Sequence, residues 1–127
     1  MCVKEWKRIA EWEAMHYRDR KAFLKGVKDA GGGMTSRAVQ YERWVRAVEA
    51  VLQYLRRYDP EKERCFRLFF GLDDGQALRG TKGMVSLSFQ FHAGLSTLYE
   101  WKNEMLSLLL LAAVQTGALI PFEKEAQ

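Results

Sequence analysis

The chain has 127 residues, which is enough for one domain with a substantial buried core. Hydrophobic residues make up 48% of it, which excludes wholesale disorder, and 2 prolines and 10 glycines exclude a collagen-like or proline-rich protein. The net charge of +4 permits nucleic-acid binding without requiring it.

The chemistry-bearing residues are sparse. There are 2 cysteines and 2 histidines, without a Cys-x-x-Cys spacing, which argues against a disulfide framework and a zinc site. Neither His16 nor His92 has a nucleophile beside it in the sequence, and the pair Asp73 and Asp74 reads as a turn rather than a metal site. We therefore predict no enzymatic activity, no cofactor and no metal.

No apolar signal segment stands near the N-terminus, and the longest apolar run, residues 108–114, is far shorter than the roughly 20 residues of a membrane span. Two thiols also fit a reducing compartment. These features predict a cytoplasmic protein without a membrane partner.

Residues 1–30 are predicted to form an N-terminal helical arm, because apolar residues recur every three or four positions over residues 3–28. A glycine-rich joint follows at residues 31–35. The arm can pack on the domain or on a second subunit, or it can bind DNA phosphates or a polymerase surface. We favour packing, since Trp6 and Trp12 would otherwise stay exposed.

The main domain is predicted over residues 36–122, followed by a polar tail at residues 123–127. Thr35 or Ser36 caps a long amphipathic helix that ends at Asp59, where Pro60 begins a short helix that Gly71 stops. Residues 72–83 read as a loop. The fold class is therefore all-α.

The last third of the chain is predicted to hold two more helices. Residues 84–92 read as a short helix or turn, although residues 85–91 alternate as a β-strand would. Residues 96–115 form a long helix that Gly117 ends. Its apolar run at residues 106–114 suits either a central core helix, which we favour, or a dimer seam.

Residues 87–103 match the spacing of a helix-turn-helix. Leu87 and Phe91 face inward from the first helix, Ala93 and Gly94 make the turn, and Leu98 and Trp101 face inward from the second helix. A small residue, Ser88, stands where the helices approach. His92 stands where such turns usually carry glycine, and His tolerates a left-handed backbone better than a β-branched residue does.

The run Ser96-Thr97-Leu98-Tyr99-Glu100-Trp101-Lys102-Asn103-Glu104-Met105-Leu106 resembles the ending of phage transcriptional regulators of the ArpU and RinA type. Residues 48–70 and 112–122 are similar to the same family, so the resemblance covers roughly residues 40–122. Glu100 stands where that family usually has Arg. Residues 1–33 match no family.

The resemblance implies a helical domain similar to region 4 of sigma factors, with a C-terminal helix-turn-helix. It implies a phage or prophage transcriptional regulator that binds double-stranded DNA, with RNA polymerase as a further partner left open. The implied DNA-binding residues are Arg79, Lys82, Leu95, Ser96, Thr97, Tyr99, Glu100, Lys102 and Asn103.

These residues suit DNA chemically. Hydroxyl groups and cations contact phosphates, Asn pairs with adenine, and Glu accepts from cytosine. In the alternative interpretation, Ser96 or Thr97 caps the helix and the others form an ordinary polar surface.

Two other functions remain open. The helices can form a protein-interaction module without independent DNA binding, or the chain can be a small terminase-like DNA-binding subunit that assembles into rings. A homodimer is compatible with the regulator as well.

Overall fold

The computed structural model describes residues 2–73, 78 and 80–120, and these contain six α-helices and no β-strand. The all-α prediction is thus confirmed for the described part of the chain. The helices are α1 (Val3–Met15), α2 (Tyr17–Asp29), α3 (Ser36–Tyr58), α4 (Pro60–Phe70), α5 (Gly80–Phe91) and α6 (Leu95–Thr116).

Local capping sets several helix ends where the sequence predicts them. The Thr35 side chain accepts a hydrogen bond from the Ala38 N–H at 3.1 Å, and the Asp59 carboxylate accepts one from the Lys62 N–H at 3.3 Å. Gly71 and Gly117 end α4 and α6 in the left-handed conformation, with φ of 61° and 80°. These groups satisfy main-chain atoms that a helix end leaves without partners.

The predicted continuous helix over residues 3–28 is wrong, because His16 separates α1 from α2. The His16 Nδ1 donates to the Trp12 carbonyl oxygen at 2.8 Å, and the two rings lie 4.1 Å apart. The break allows α1 to pack mainly on α6 and α2 mainly on α3. A single straight helix could not follow both neighbours.

α5 corrects one further prediction and confirms another. The helix begins at Gly80, inside the predicted loop of residues 72–83. Residues 85–91 are helical, as predicted, and do not form the strand that their alternation also allowed. Met84, Leu87 and Phe91 are buried, so their helical spacing outweighs the alternation of polar residues. Gly83 allows α5 to approach the main chain of Leu78, since a Cβ there would lie 2.6 Å from the Leu78 carbonyl carbon.

The hydrophobic core is one cluster to which all six helices contribute. α6 contacts α1, α3, α4 and α5. Its apolar run is buried at Leu106, Leu109 and Ala112, as expected of a core helix, while Leu111 stays 65% exposed. The two helices of the predicted arm supply Ala10, Ala14 and Tyr17 to this same core.

A polar cluster holds α2 on α3. The Tyr17 hydroxyl donates to Glu49 Oε2 at 2.8 Å, and Lys21 Nζ donates to the same oxygen at 3.2 Å. Burial raises the pKa of Tyr17, and the hydrogen bond to Glu49 adds to this effect. The hydrogen bonds with Tyr17 and Glu49 raise the pKa of Lys21.

We predict that this cluster makes the fold sensitive to alkaline pH. Because both pKa values are higher in the folded protein, the free energy of unfolding falls as pH rises from about 10, the ordinary pKa of tyrosine, through the folded values. Tyr17→Phe makes the fall shallower, by up to about 1.4 kcal/mol per pH unit.

Urea unfolding at a series of pH values measures this slope. The matched control is Tyr58→Phe, because Tyr58 is 65% exposed. Equal slopes for wild type and Tyr17→Phe would contradict the prediction.

Candidate helix-turn-helix site

The turn between α5 and α6 has the backbone that the sequence predicts. His92 adopts a φ of 51°, and it is the non-glycine residue with positive φ in the described part of the chain. Ser88 fastens the turn from both sides: its hydroxyl donates to the Ala93 carbonyl oxygen, and its carbonyl accepts from the Ala93 N–H at 3.2 Å. The chain therefore passes from α5 to α6 within three residues, His92 to Gly94.

The inward residues of the motif pack together as their spacing predicts. Leu87 and Leu98 are fully buried and Phe91 nearly so. The rings of Phe91 and Trp101 meet edge to face, with centroids 6.3 Å apart. This contact joins the inner faces of α5 and α6.

Two basic side chains of α4 contact the aromatic rings of α5 and α6. The Arg64 guanidinium lies 4.7 Å from the centroid of the Phe91 ring. Lys62 Nζ lies 5.7 Å from the Trp101 ring and 3.0 Å from the Glu104 carboxylate. α4 thus braces both helices of the motif.

The first turns of α6 present a polar face. Ser96, Tyr99 and Glu100 are exposed, Leu95 is 43% exposed and Thr97 is half-buried. Gly94 is the N-cap and makes no side-chain capping bond, so the alternative that Ser96 or Thr97 caps this helix is wrong. The hydroxyl groups of this face are consequently free of a capping role.

Two of the predicted DNA-binding residues contact α1 instead of standing free. Lys102 Nζ lies 3.0 Å from a Glu11 carboxylate oxygen, and Lys7 Nζ donates to Asn103 Oδ1 at 2.6 Å. α1 therefore runs antiparallel beside α6. No sequence signal predicts these pairs, because their partners are distant in the chain.

The predicted phosphate contacts differ in their surroundings. Lys82 is exposed and has no ion pair among the described residues, whereas Arg79 lies outside those residues. Over α5 and α6, two lysines stand against Glu100 and Glu104. The motif itself is therefore close to electrically neutral.

α5 also exposes apolar side chains. Phe89 is 78% exposed and Val85 is 38% exposed, and the two are four residues apart on one face. Because Leu87 and Phe91 lie on the inner face of α5, helical spacing places Phe89 on the outer face. The exposure of Phe89 could therefore be predicted from the sequence. Phe89 and Val85 together form a small exposed apolar patch on α5.

The remaining chemistry-bearing residues take part in ordinary structural contacts. Burial raises the pKa of the Cys65 thiol to about 12, which leaves it without thiolate character. Asp73 forms an ion pair with Arg67 at 2.9 Å, and Asp74 lies outside the described residues. In the described ranges, no three His, Cys, Asp or Glu side chains gather in a way that could hold a metal ion.

Comparisons with known proteins give no relative: no protein-family model, curated protein or solved structure matches the chain. Within residues 2–73 and 80–120, no helix has both the length and the apolar composition that crossing a membrane requires.

We predict that substitutions at residue 92 follow its backbone conformation. His92→Val lowers the free energy of unfolding by about 1 kcal/mol or more, because β-branched residues are strained at positive φ, whereas His92→Gly raises it slightly. Thermal and urea unfolding measure the order Gly, His, Val.

The same substitutions at His16 provide the control, because φ there is −102°. Glycine at position 16 is expected to destabilise the helix junction. An order at residue 92 in which Val is more stable than Gly would contradict the assigned turn.

Proposed function

We propose that the chain is a transcriptional regulator of a phage or prophage that binds double-stranded DNA through α5 and α6. The observation that carries this proposal is the turn at residues 92–94, with its left-handed His92 and the buried pair Leu87 and Leu98 on either side. This arrangement leaves one face of the N-terminal turns of α6 exposed, at Leu95, Ser96, Tyr99 and Glu100, and a recognition helix requires such a face.

In the proposed mechanism, the N-terminal part of α6 enters the major groove. Ser96, Thr97 and Tyr99 donate to phosphates, and Glu100 accepts from a cytosine amino group. The first turn of α6 carries no acidic residue, so the positive end of the helix dipole meets the anionic ligand without opposition.

The α6 residues beside α1 require an exchange of partners. For Asn103 to pair with adenine, its Oδ1 must give up the hydrogen bond from Lys7. Lys102 likewise exchanges Glu11 for a phosphate. The hydrogen bond between Lys7 and Asn103 is exposed, so DNA can compete for Asn103. The Lys102 and Glu11 side chains are 24% and 30% exposed, so their ion pair is the more difficult of the two to exchange.

We predict that the purified protein enriches one discrete segment from fragments of its source genome. The selection is made at about 0.15 M salt, where the Debye length is about 8 Å and weak surface attraction is screened. Circular dichroism checks that the protein is folded. Failure to enrich any segment with folded protein would contradict independent DNA recognition.

We predict that Tyr99→Ala combined with Asn103→Ala abolishes the preference for that segment over random DNA. Tyr99 is 51% exposed, so the fold stays intact. The measurement is the ratio of the two dissociation constants.

The matched control is Gln53→Ala combined with Tyr58→Ala on α3, which removes an exposed tyrosine and an amide away from the motif. The control keeps the preference. Wild-type preference in the Tyr99 and Asn103 variant would contradict the assignment of α6 as the recognition helix.

A protein-interaction module is the second candidate, and the exposure of Phe89 and Val85 favours it. In this candidate, the two side chains dock on a partner protein or on a second copy. The absence of any enriched DNA segment, together with a dimer that Phe89→Ser dissociates in sedimentation, would support this function over the first.

A further inference from the structure

α2 carries a continuous basic face. Arg18, Lys21, Lys25 and Lys28 follow one another at spacings of three, four and three residues, which places them on one side of the helix. α2 as a whole has five basic and two acidic residues, a net charge of +3. Most of the net charge of +4 of the chain therefore resides in this one helix.

This basic face borders an open groove of about 630 Å³ between α2 and the C-terminal end of α4. Arg67 and Asp73 stand in the opposite wall and form an ion pair with each other at 2.9 Å. The two acidic residues of α2, Asp19 and Asp29, do not line the groove. Its electrostatic field is consequently set by the α2 cations.

Three of these cations are not neutralised. Arg18, Lys25 and Lys28 are exposed and form no ion pair among the described residues, whereas Lys21 is paired with Glu49. Several other cations of the protein are paired, among them Arg46, Arg56, Lys62 and Lys102. Three adjacent free cations along one helix therefore form a distinct surface.

We infer that the basic face of α2 binds the phosphate backbone of DNA, as a second contact surface in addition to α6. From Arg18 to Lys28 the helix rises about 15 Å, and a B-DNA strand carries about four phosphates over that length. This inference rests on the proposed function, because the ligand is the same DNA. It also supplies the positive charge that the nearly neutral helix-turn-helix lacks.

The composition of the face favours nucleic acid over a lipid surface. A membrane-binding helix places large apolar side chains beside its cations. Here the other side chains that line the groove are Ala22, the half-buried Leu24, and Tyr17 and Leu72, both of which are buried, so no large apolar side chain of the groove stands exposed beside the cations. Phe23 is directed elsewhere and meets the Tyr41 ring edge to face at 5.3 Å.

The test measures the affinity for a short duplex of random sequence as a function of salt, using Arg18→Gln, Lys25→Gln and Lys28→Gln together. Gln keeps the helix propensity of Lys and Arg. Three lost phosphate contacts reduce the slope of log affinity against log salt by about 2.7. Between about 50 and 200 mM salt, the wild-type affinity then falls about 40-fold more than that of the variant.

A control variant of equal net charge combines Lys4→Gln, Arg8→Gln and Arg37→Gln, three exposed residues without an ion pair among the described residues. This control keeps the wild-type slope. Equal slopes for the α2 variant and wild type, an equal loss in both variants, or no wild-type binding would each overturn the inference.

This test is independent of the test of the proposed function, because binding to random DNA does not require a specific operator sequence. An enriched genomic segment with an unchanged slope in the α2 variant would keep the regulator and remove this surface. Binding of random DNA that depends on α2, without any enriched segment, would keep this surface and remove sequence-specific recognition.

Discussion

The burial of α6 is the constraint on which the other helices depend. Leu98, Met105 and Leu109 are fully buried along one side of α6, and this helix meets four of the other five. Each buried leucine or methionine contributes several kcal/mol to such a core, so the position of α6 is set by its inner face. That position also determines which residues of its outer face and first turn are exposed to solvent.

This arrangement divides the surface of the molecule by chemistry. The N-terminal turns of α6 are polar and nearly uncharged, while α2 carries a net charge of +3. α1 occupies two polar side chains of α6: Glu11 forms an ion pair with Lys102, and Lys7 donates a hydrogen bond to Asn103. Under the proposed function, α6 reads base edges and α2 supplies electrostatic attraction to the phosphates.

Features that depend on neighbouring residues could be read from the sequence. The caps at Thr35 and Asp59 and the left-handed ends at Gly71 and Gly117 involve atoms within a few positions, so the residue types suffice to predict them. The positive φ of His92 belongs to the same class. The break at His16 does not, since both segments have helical spacing and only their different neighbours separate them.

By itself, the sequence determined the all-α class, most helix ends and the pair of helices joined at His92, because hydrogen bonds and apolar spacing act locally along the chain. Only the tertiary structure decided which polar residues of α6 are free. Lys7 and Asn103 lie 96 positions apart, and they meet because burial of α1 against α6 brings them together. The packing of α2 on α3 likewise placed the basic face of α2 on the surface near the end of α4.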